Sequence, residues 1–239
     1  MTPYFDRIAP EALSGDALDL LLSLGWYRMH QALFTCSHVE MDGLHRVHWL
    51  RFRTGEIKNS ATHRRIIGKN KNFNVTIGDF DSIDEAHAAL HARYRAAITF
   101  DGALSISECL FGDDATSFEN IFNTKCISVF DGDRLVAAGY FDVGENAAAS
   151  ILHFFDPEYA HYSLGKYLIL LTLDFLKEQN IEWYYPGYIV EGIGKMNYKL
   201  FLGKTEAQYF VPEGPSWNYF HDAILTDASG QHPANNRHA

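Results

Sequence analysis

Residues 125–185 carry a succession of strand and helix signals that few folds can accommodate. Three segments with β-branched and aromatic content come first, at residues 125–130, 134–143 and 147–155. The turn sequences Asp131-Gly132-Asp133 and Gly144-Glu145-Asn146 separate them. Residues 164–179 follow, and their apolar periodicity and length predict a helix. Residues 181–185 predict one more strand, so the order indicates an α+β domain in which antiparallel strands lead into a helix and a further strand.

The remaining elements are predicted from the same kinds of signal. Helices are expected at residues 10–24, 62–70, 82–99 and 106–111. Ser82 and Glu85 form a capping box at the start of the third of these helices. Strands are expected within residues 33–53, with Asp42-Gly43 as a hairpin turn, and at residues 73–80 and 207–211. Residues 226–239 are polar and predict a flexible tail.

Two stretches carry most of the residues suited to binding and chemistry. Residues 184–199, YYPGYIVEGIGKMNYK, place aromatic side chains, one carboxylate and two lysines beyond the predicted strand end. Ligands in α/β arrangements bind in the crevice at the carboxyl ends of strands. Residues 154–167, FFDPEYAHYSLGKY, precede the predicted helix and are expected to face the same crevice. Ser163 is expected at the N-cap of that helix, where free N–H groups favour a phosphate or an oxyanion.

Positive charge is concentrated in residues 51–71. This stretch has seven Lys and Arg against one acid, Glu56, in a chain whose formal net charge is −10. Such a patch suits contact with a few phosphates of an RNA, whereas the acidic remainder argues against non-specific nucleic-acid binding. A solvated helix with scattered basic side chains is the alternative interpretation. The candidate nucleic-acid contacts are Arg51, Arg53, Arg64, Arg65, Lys69 and Lys71.

Signals for metal, disulfide and membrane are weak. Cys36, Cys109 and Cys126 are widely separated, which predicts buried, reduced thiols. Several histidines lie close together in this part of the sequence, but His45 and His48 point to opposite faces of a strand and cannot share a ligand. No metal site is therefore predicted. No apolar run is long enough to span a bilayer, and the N-terminal sequence lacks a signal-peptide pattern. A cytoplasmic location is therefore expected.

Several segments resemble the arginyl-tRNA–protein transferases and the related bacterial aspartate/glutamate leucyltransferases. Residues 184–199 resemble the family's Tyr-Gly-Tyr segment followed by Lys-Met-x-Tyr-Lys, and residues 154–167 resemble its Phe-Asp-Pro and Ser-Leu-Gly segment. Gly25-Trp26-Tyr27-Arg28 and residues 60–73 are weaker similarities. The resemblance implies transfer of an arginyl or leucyl group from tRNA to the N-terminal amine of a protein. Aminoacyl-tRNA is then the co-substrate, and acidic N-termini are the expected acceptors.

The resemblance also implies an α+β fold of two GNAT-like (acyl-CoA N-acyltransferase-like) halves, with mixed, mostly antiparallel sheets flanked by helices. The first half is expected at residues 1–100 and carries the basic patch. The second is expected at residues 101–225 and carries the catalytic cleft. No cofactor is expected. Family members typically have an N-terminal cysteine set, associated in some with an iron–sulfur cluster, and because only Cys36 lies near that region here, no cluster is expected.

An aminoacyl ester is already activated, so positioning and oxyanion stabilisation should supply most of the acceleration. The predicted catalytic residues are Asp156, Glu191 and Tyr188, with a carboxylate holding the charged amino group or accepting a proton from the attacking amine. Lysines are predicted to hold phosphates of the tRNA end, tyrosines to stack on its terminal adenine, and glycines and a serine to shape the helix start. These substrate contacts are Ser163, Gly165, Tyr185, Gly187, Lys195, Tyr198 and Lys199. A simple Asp-Pro turn is the alternative interpretation of Asp156.

Two other functions stay open. One is acetyl-CoA-dependent N-acetylation by a GNAT-class enzyme. Residues 161–166 contain one glycine, Gly165, and the bulky Leu164, and this composition counts against a loop that cradles the CoA pyrophosphate. The other is a non-catalytic module that recognises protein N-termini or RNA.

Overall fold

The computed structural model of the protein describes residues 2–99, 102–113 and 119–225. Its strands are β1 Phe5–Ile8, β2 Tyr27–Met29, β3 Ala32–Cys36, β4 His38–Glu40, β5 Leu44–Arg53, β6 Asn74–Asp79, β7 Thr124–Asp131, β8 Arg134–Val143, β9 Ala147–Phe155, β10 Trp183–Val190, β11 Ala207–Val211 and β12 Ser216–Tyr219. Its α-helices are α1 Gly15–Ser23, α2 Ala61–Asn70, α3 Glu85–Ala97, α4 Ile106–Phe111 and α5 Leu164–Glu178. Short 3₁₀ helices occupy Thr54–Glu56, Pro157–Tyr162, Gly194–Leu202 and Asp222–Leu225.

One mixed sheet organises the described part of the chain, in the order β12-β11-β5-β10-β9-β8-β7-β6, with β4 added beside β5. Neighbouring strands are antiparallel, except that β10 and β9 run parallel. The α+β class with a mixed sheet and flanking helices is therefore confirmed. β5 and β6, from the first hundred residues, lie in the same sheet as the later strands. The expected division of the chain into two halves at residue 100 stays a prediction.

Strand β8 shows why the middle of the sheet is buried. Its residues are buried from Leu135 to Val143, a pattern expected when both faces of a strand are covered. Helix α5 covers one face with a row of side chains four residues apart, Leu164, Leu168, Thr172 and Leu176, all with no exposed surface. Helix α3 covers the other face, where Leu90 packs in a cluster with Tyr140 and Phe154.

A small sheet in the order β1-β3-β2 lies beside the main one. Its strands pack with α1 through residues such as Leu18 and Leu22. Tyr27 of β2 stacks on Trp49 of β5 with ring centroids 3.8 Å apart, and its hydroxyl donates to the Leu50 carbonyl. This stacking fixes the small sheet against the middle of the large one.

Three element boundaries differ from those expected. Helix α1 begins at Gly15 rather than residue 10. Helix α3 is capped by Asp84, whose carboxylate accepts from His87 N at 2.8 Å, so the predicted capping box of Ser82 and Glu85 is wrong. The predicted tail at residues 226–239 lies outside the described residues.

The third difference matters for the site. Strand β10 does not end at Tyr185 but continues through Pro186 to Val190. A register shift between Tyr184 and Gly187 lets the strand resume its antiparallel pairing with β5, from Gly187 opposite Leu50 onward. The predicted loop after Tyr185 is therefore largely strand, and Tyr188 has a defined orientation within a sheet.

Candidate functional site

A cleft opens where the two parallel strands separate. β9 and β10 pair only from Trp183 opposite Ala147 to Tyr185 opposite Ala149 in the described structure. Beyond that point β9 stays with β8, whereas β10 stays with β5. Two adjoining cavities of about 660 Å³ and about 1080 Å³ occupy the opening, and we call them the inner lobe and the outer lobe. Side chains lining both lobes define their junction: Tyr94, His153, Tyr188, Met196, Tyr198 and Lys199.

Lys199 places a buried cation at this junction. The 3₁₀ helix Gly194–Leu202 carries it, and only 8% of the residue is exposed. Its Nζ donates to the Tyr188 carbonyl at 2.9 Å and lies 4.9 Å from the centre of the Tyr198 ring. Burial lowers the pKa of Lys199 to about 8, because the charged form loses its hydration. No carboxylate forms an ion pair with Lys199 within the described ranges.

Two glycines near the junction are required for different reasons. Gly139 of β8 stands opposite His153 of β9, and a Cβ at 139 would come within 2.7 Å of the imidazole Cδ2, so glycine there allows the His153 ring to lie against backbone. Gly187 adopts a φ of +97°, a backbone conformation that favours glycine, and a Cβ there would make only an ordinary contact with Lys199 Cε, at 3.6 Å.

His153 contributes a second nitrogen-bearing side chain. Its Nε2 is buried and has no hydrogen-bond partner among the described residues. Burial, together with the nearby charge of Lys199, lowers the pKa of His153 to about 4. The imidazole is therefore neutral at physiological pH and offers uncharged hydrogen-bonding nitrogen to whatever occupies the junction.

The start of helix α5 lies at the outer lobe. Ser163 is the N-cap residue, as predicted, but it is held in the left-handed region at φ 59° and ψ 41°, and its hydroxyl makes no capping bond. Ser163, Gly165 and Lys166 line this lobe together with Lys195. The tip of the β4–β5 hairpin, including Glu40 and Asp42, also lines the lobe. Most of the predicted substrate contacts are thus brought together at one cleft: Ser163, Gly165, Gly187, Lys195, Tyr198 and Lys199.

Three of the predicted catalytic and substrate-contact residues do not line either lobe. Asp156 is 1% exposed; its Oδ2 accepts from Arg134 at 2.8 Å and pairs with Arg93 at 3.3 Å, while its Oδ1 accepts from Glu158 N. Although burial opposes it, the hydrogen bond from Arg134 and the neighbouring charges lower the pKa of Asp156. The carboxylate thus caps the 3₁₀ helix Pro157–Tyr162, and a direct catalytic role for Asp156 is not supported.

Glu191 and Tyr185 are also engaged elsewhere. The Glu191 carboxylate contacts His48, with Oε1 at hydrogen-bonding distance, 2.8 Å, from the imidazole Nε2. Tyr185 is 1% exposed and packs edge-on against Trp217, with ring centroids 5.6 Å apart. Neighbouring strand residues face opposite sides of a sheet, so Tyr184 lines the inner lobe while Tyr185 does not. The catalytic role predicted for Glu191 and the substrate contact predicted for Tyr185 are therefore not supported.

The basic patch divides into two groups. Arg51 lies between two indoles, its Cζ 3.9 Å from the Trp183 ring centre and 4.5 Å from that of Trp217, and Arg53 pairs with Glu182 at 2.6 Å. These two guanidinium groups already have partners within the chain. Lys58, which precedes helix α2, likewise pairs with Glu206, at 3.5 Å. The remaining basic residues are exposed on or just after helix α2: Arg64, Arg65, Lys69 and Lys71.

Several cleft residues were not predicted from the sequence. Met196 lies within the motif at residues 184–199, and His153 immediately precedes the FFDP sequence, so proximity to a motif was their only signal. Tyr184 opens the same motif, although Tyr185 was the tyrosine predicted there to contact the substrate. The others come from elements distant in sequence from the motif and carry no local signal: Trp49, Tyr94 and Ser150. Tyr184 and Ser150 share a hydrogen bond of 2.5 Å across the last paired segment of β9 and β10.

Within the described residues, no helix is long and apolar enough to cross a membrane. No group of three or more His, Cys, Asp and Glu side chains in the same ranges is arranged to hold a metal ion.

A cleft beside a buried titratable side chain with a shifted pKa is typical of an active site. Residues 86–208 match the family described as "Arginine-tRNA-protein transferase, C terminus". The chain belongs to this family of aminoacyl-tRNA–protein transferases, which confirms the membership that its motifs predicted.

Two bacterial relatives agree with this membership. The chain is 28% identical over 222 residues to the aspartate/glutamate leucyltransferase of Shewanella sp. (strain MR-7), covering 89% of this chain and 85% of that protein. It is 25% identical over 189 residues to the enzyme of the same name from Vibrio vulnificus (strain CMCP6), covering 78% of each. A solved C-terminal domain of a putative lysylphosphatidylglycerol synthetase from Agrobacterium fabrum aligns over 60% of this chain and 48% of that one, with 14% identity and a TM-score of 0.45.

Proposed function

We propose that the chain transfers a leucyl group from leucyl-tRNA to the N-terminal amine of an acceptor protein. The main support for this proposal is the position of Lys199 where the two lobes meet. Lys199 is a buried cation without a carboxylate partner in the described structure. A reaction between two macromolecules needs such a meeting point, because each substrate delivers only its end to the reacting atoms. The family supplies the class of reaction.

The character of the outer lobe favours leucyl over arginyl. Its lining includes several apolar side chains, those of Val39, Met41, Val190, Ile193 and Met196. Such a surface stabilises an apolar side chain by removing it from water. The relatives named above as leucyltransferases add support. Arginyl transfer is the competing donor specificity, since Glu40 and Asp42 stand at the rim of the same lobe.

The reaction joins the acceptor amine to the ester carbonyl carbon. An amide bond forms, the bond to the ribose oxygen of the tRNA end breaks, and the proton lost by the amine passes to that departing oxygen. Negative charge develops on the carbonyl oxygen along the way. Lys199 gives one N–H to the Tyr188 carbonyl, and its remaining N–H groups can stabilise the developing oxyanion in a site shielded from water.

The exposed cations of helix α2 are the groups proposed to bind phosphates of the tRNA. Lys69 Nζ donates to the His161 carbonyl at 2.5 Å, and Asn70 Nδ2 donates to the Tyr162 carbonyl at 3.1 Å. Both contacts fasten the helix to the segment that leads into Ser163, at the outer lobe. Arg64 and Arg65 lie on the same helix, so phosphates bound by them would be held on the element that is fastened beside the outer lobe.

We also propose that β7, β8, β9, α5 and β10 constitute the GNAT-like half expected at residues 101–225. The succession of antiparallel strands, helix and parallel strand supports it, as does the separation of β9 from β10. In this arrangement the acyl donor and the amine meet at the separated strand ends. We also propose that the reaction needs no cofactor and that acidic N-termini are the preferred acceptors.

One set of transfer reactions tests the function. Purified protein is incubated with leucyl-tRNA or arginyl-tRNA carrying labelled amino acid, and with peptides that begin with Asp, Glu, Arg or Lys. A parallel reaction contains acetyl-CoA instead of the tRNA. We expect label from leucyl-tRNA on peptides that begin with Asp or Glu. Label from arginyl-tRNA alone would overturn the donor specificity, acetylation alone would favour the GNAT-class acetyltransferase, and peptide binding without transfer would favour the non-catalytic module.

A further inference from the structure

His153 differs from other buried histidines of the described structure in what its ring contacts. The Nε2 atom of His63 lies 2.9 Å from a backbone carbonyl, and the two ring nitrogens of His87 have partners at 2.8 Å and 2.9 Å. His153 Nε2 is buried and has no hydrogen-bond partner among the described residues. The residue nevertheless lies on β9 just beyond the segment that pairs with β10, and it lines both lobes of the cleft. A polar ring is thus placed at the junction without a structural hydrogen bond from Nε2.

The orientation of this ring is set by Gly139 on strand β8. A Cβ at position 139 would lie 2.7 Å from Cδ2 and 3.2 Å from Nε2 of His153, and 3.6 Å from Leu168, so the Cδ2–Nε2 edge rests on backbone in apolar surroundings. Nδ1 is the ring atom opposite that edge. It is therefore directed away from β8, toward the side on which β10 has separated from β9 and the cleft opens.

The same surroundings favour one tautomer of the ring. A neutral imidazole carries its single proton on Nδ1 or on Nε2. A proton on Nε2 would be enclosed without an acceptor, which is unfavourable for a buried N–H group, whereas a proton on Nδ1 can be shared with a ligand in the cleft. Burial and the charge of Lys199 hold the pKa of His153 at about 4, so the ring stays neutral. His153 therefore presents a neutral N–H group to the cleft.

We propose that His153 is a second catalytic residue of the transfer reaction, donating from Nδ1–H to the same ester carbonyl oxygen that Lys199 stabilises. This role rests on the proposed function. Two donors suit this oxygen, because it has two lone pairs and gains negative charge as the acceptor amine adds to the carbonyl carbon. A neutral imidazole keeps its proton throughout and adds no positive charge beside Lys199, so both donors can act together.

Three replacements of His153 separate a donor at Nδ1 from other roles. The side-chain amide of asparagine can place an N–H group where Nδ1 lies, whereas that of glutamine reaches the position of Nε2. We expect His153→Gln and His153→Leu to lower kcat for leucyl transfer to a peptide about 10²-fold, the lower end of the loss caused by removing one oxyanion donor. His153→Asn should retain a rate within about tenfold of the unaltered protein. KM for leucyl-tRNA should change less than about threefold, because this bond strengthens only in the transition state.

His87→Leu is the matched control, since the ring contacts of His87 are with Asp84 and Ser128, outside both lobes. Its kcat per folded molecule should equal that of the unaltered protein, with the folded fraction measured by circular dichroism. An equal loss in His153→Asn, His153→Gln and His153→Leu would overturn the donor role, because a proton acceptor or a packing residue would be lost in all three.

Combination with Lys199→Met tests whether the two residues act on one oxygen. The double variant with His153→Leu should lose less than the product of the two separate losses, because each donor depends on the position of the other's acceptor. Losses that multiply in full would place the two side chains on different atoms and overturn the proposal.

The tautomer can be measured on the unaltered protein without any reaction, so the test does not depend on the folding of a variant. The ¹⁵N chemical shifts of the His153 imidazole distinguish Nδ1–H from Nε2–H, and we expect Nδ1–H. The Nε2–H tautomer would overturn the proposal even in an active transferase, as would full activity of His153→Leu. Failure of the unaltered protein to transfer leucyl or arginyl groups would instead reject the proposed function, and the catalytic role with it.

Discussion

Asp156 and Lys199 are both buried charged residues, each on a 3₁₀ segment that follows one of the two separating strands, yet their surroundings are opposite. Asp156 has two arginine partners and a backbone N–H, and it contacts neither lobe. Lys199 has a carbonyl and aromatic rings, and it lines both lobes. A buried charge whose partners are supplied by the fold maintains structure, whereas one left short of partners beside a cavity is suited to a ligand.

The largest effect expected from this difference is on catalysis. Lys199→Met should reduce kcat/KM for aminoacyl transfer by about 10²–10³-fold, the loss typical of removing one oxyanion donor, while the protein stays folded. Lys204→Met is the matched control, because Lys204 pairs with Asp222 away from the lobes. Transfer kinetics and circular dichroism measure both properties. An unchanged rate of transfer in the Lys199→Met variant would contradict the catalytic role assigned to Lys199.

Replacement of Asp156 should affect stability rather than catalysis. Asp156→Ala should lower the free energy of unfolding by about 1–3 kcal/mol, because it removes the cap of a 3₁₀ helix and leaves the Arg134 guanidinium without its buried partner. Arg134 is 47% exposed, so water offsets part of the loss. Urea unfolding gives the stability, and transfer per folded molecule should remain close to that of the unaltered protein. A large loss of rate without loss of stability would instead restore the catalytic role.

A smaller effect should appear in the pH dependence of stability. The pKa of Lys199 is lowered in the folded protein to about 8, so between that pH and the ordinary lysine value the unfolded chain binds more protons. Stability contributed by Lys199 is therefore present at high pH and is lost as the pH falls through about 8. Relative to Lys199→Met, the unfolding free energy should rise by up to about 2 kcal/mol from pH 8 to pH 9.5. Parallel pH profiles of the two proteins would show an ordinary, solvated lysine.

The smallest effect should come from the exposed cations of α2. Replacing Arg64 and Arg65 by Gln should weaken tRNA binding a few-fold and reduce the slope of log affinity against log salt by about 2. Lys199→Met should leave that slope nearly unchanged, because a buried charge is screened little by dissolved ions. Filter binding of charged tRNA over a range of salt concentrations measures both. A salt slope identical in all three proteins would contradict the assignment of the patch.

Local signals were enough to predict the order of β7, β8, β9 and α5. Turn sequences and periodicity act between residues a few positions apart, and they do not depend on which strands become neighbours. The end of β10 could not be predicted in this way, since its continuation past Pro186 depends on pairing with β5, more than a hundred residues earlier. The surroundings of Asp156 could not be predicted for a similar reason, because its partners Arg93 and Arg134 come from other elements.

The motif at residues 184–199 identified the right neighbourhood from composition alone, with its aromatic and basic side chains next to a strand end. Folding determined which of these side chains have access to a ligand. Both tyrosines are buried, but strand alternation placed only Tyr184 in the lining of the inner lobe, and the 3₁₀ helix Gly194–Leu202 holds Lys199 at 8% exposure beside it. Burial and missing partners are properties of contacts between distant segments, so the lowered pKa that distinguishes Lys199 from the exposed lysines exists only in the assembled fold.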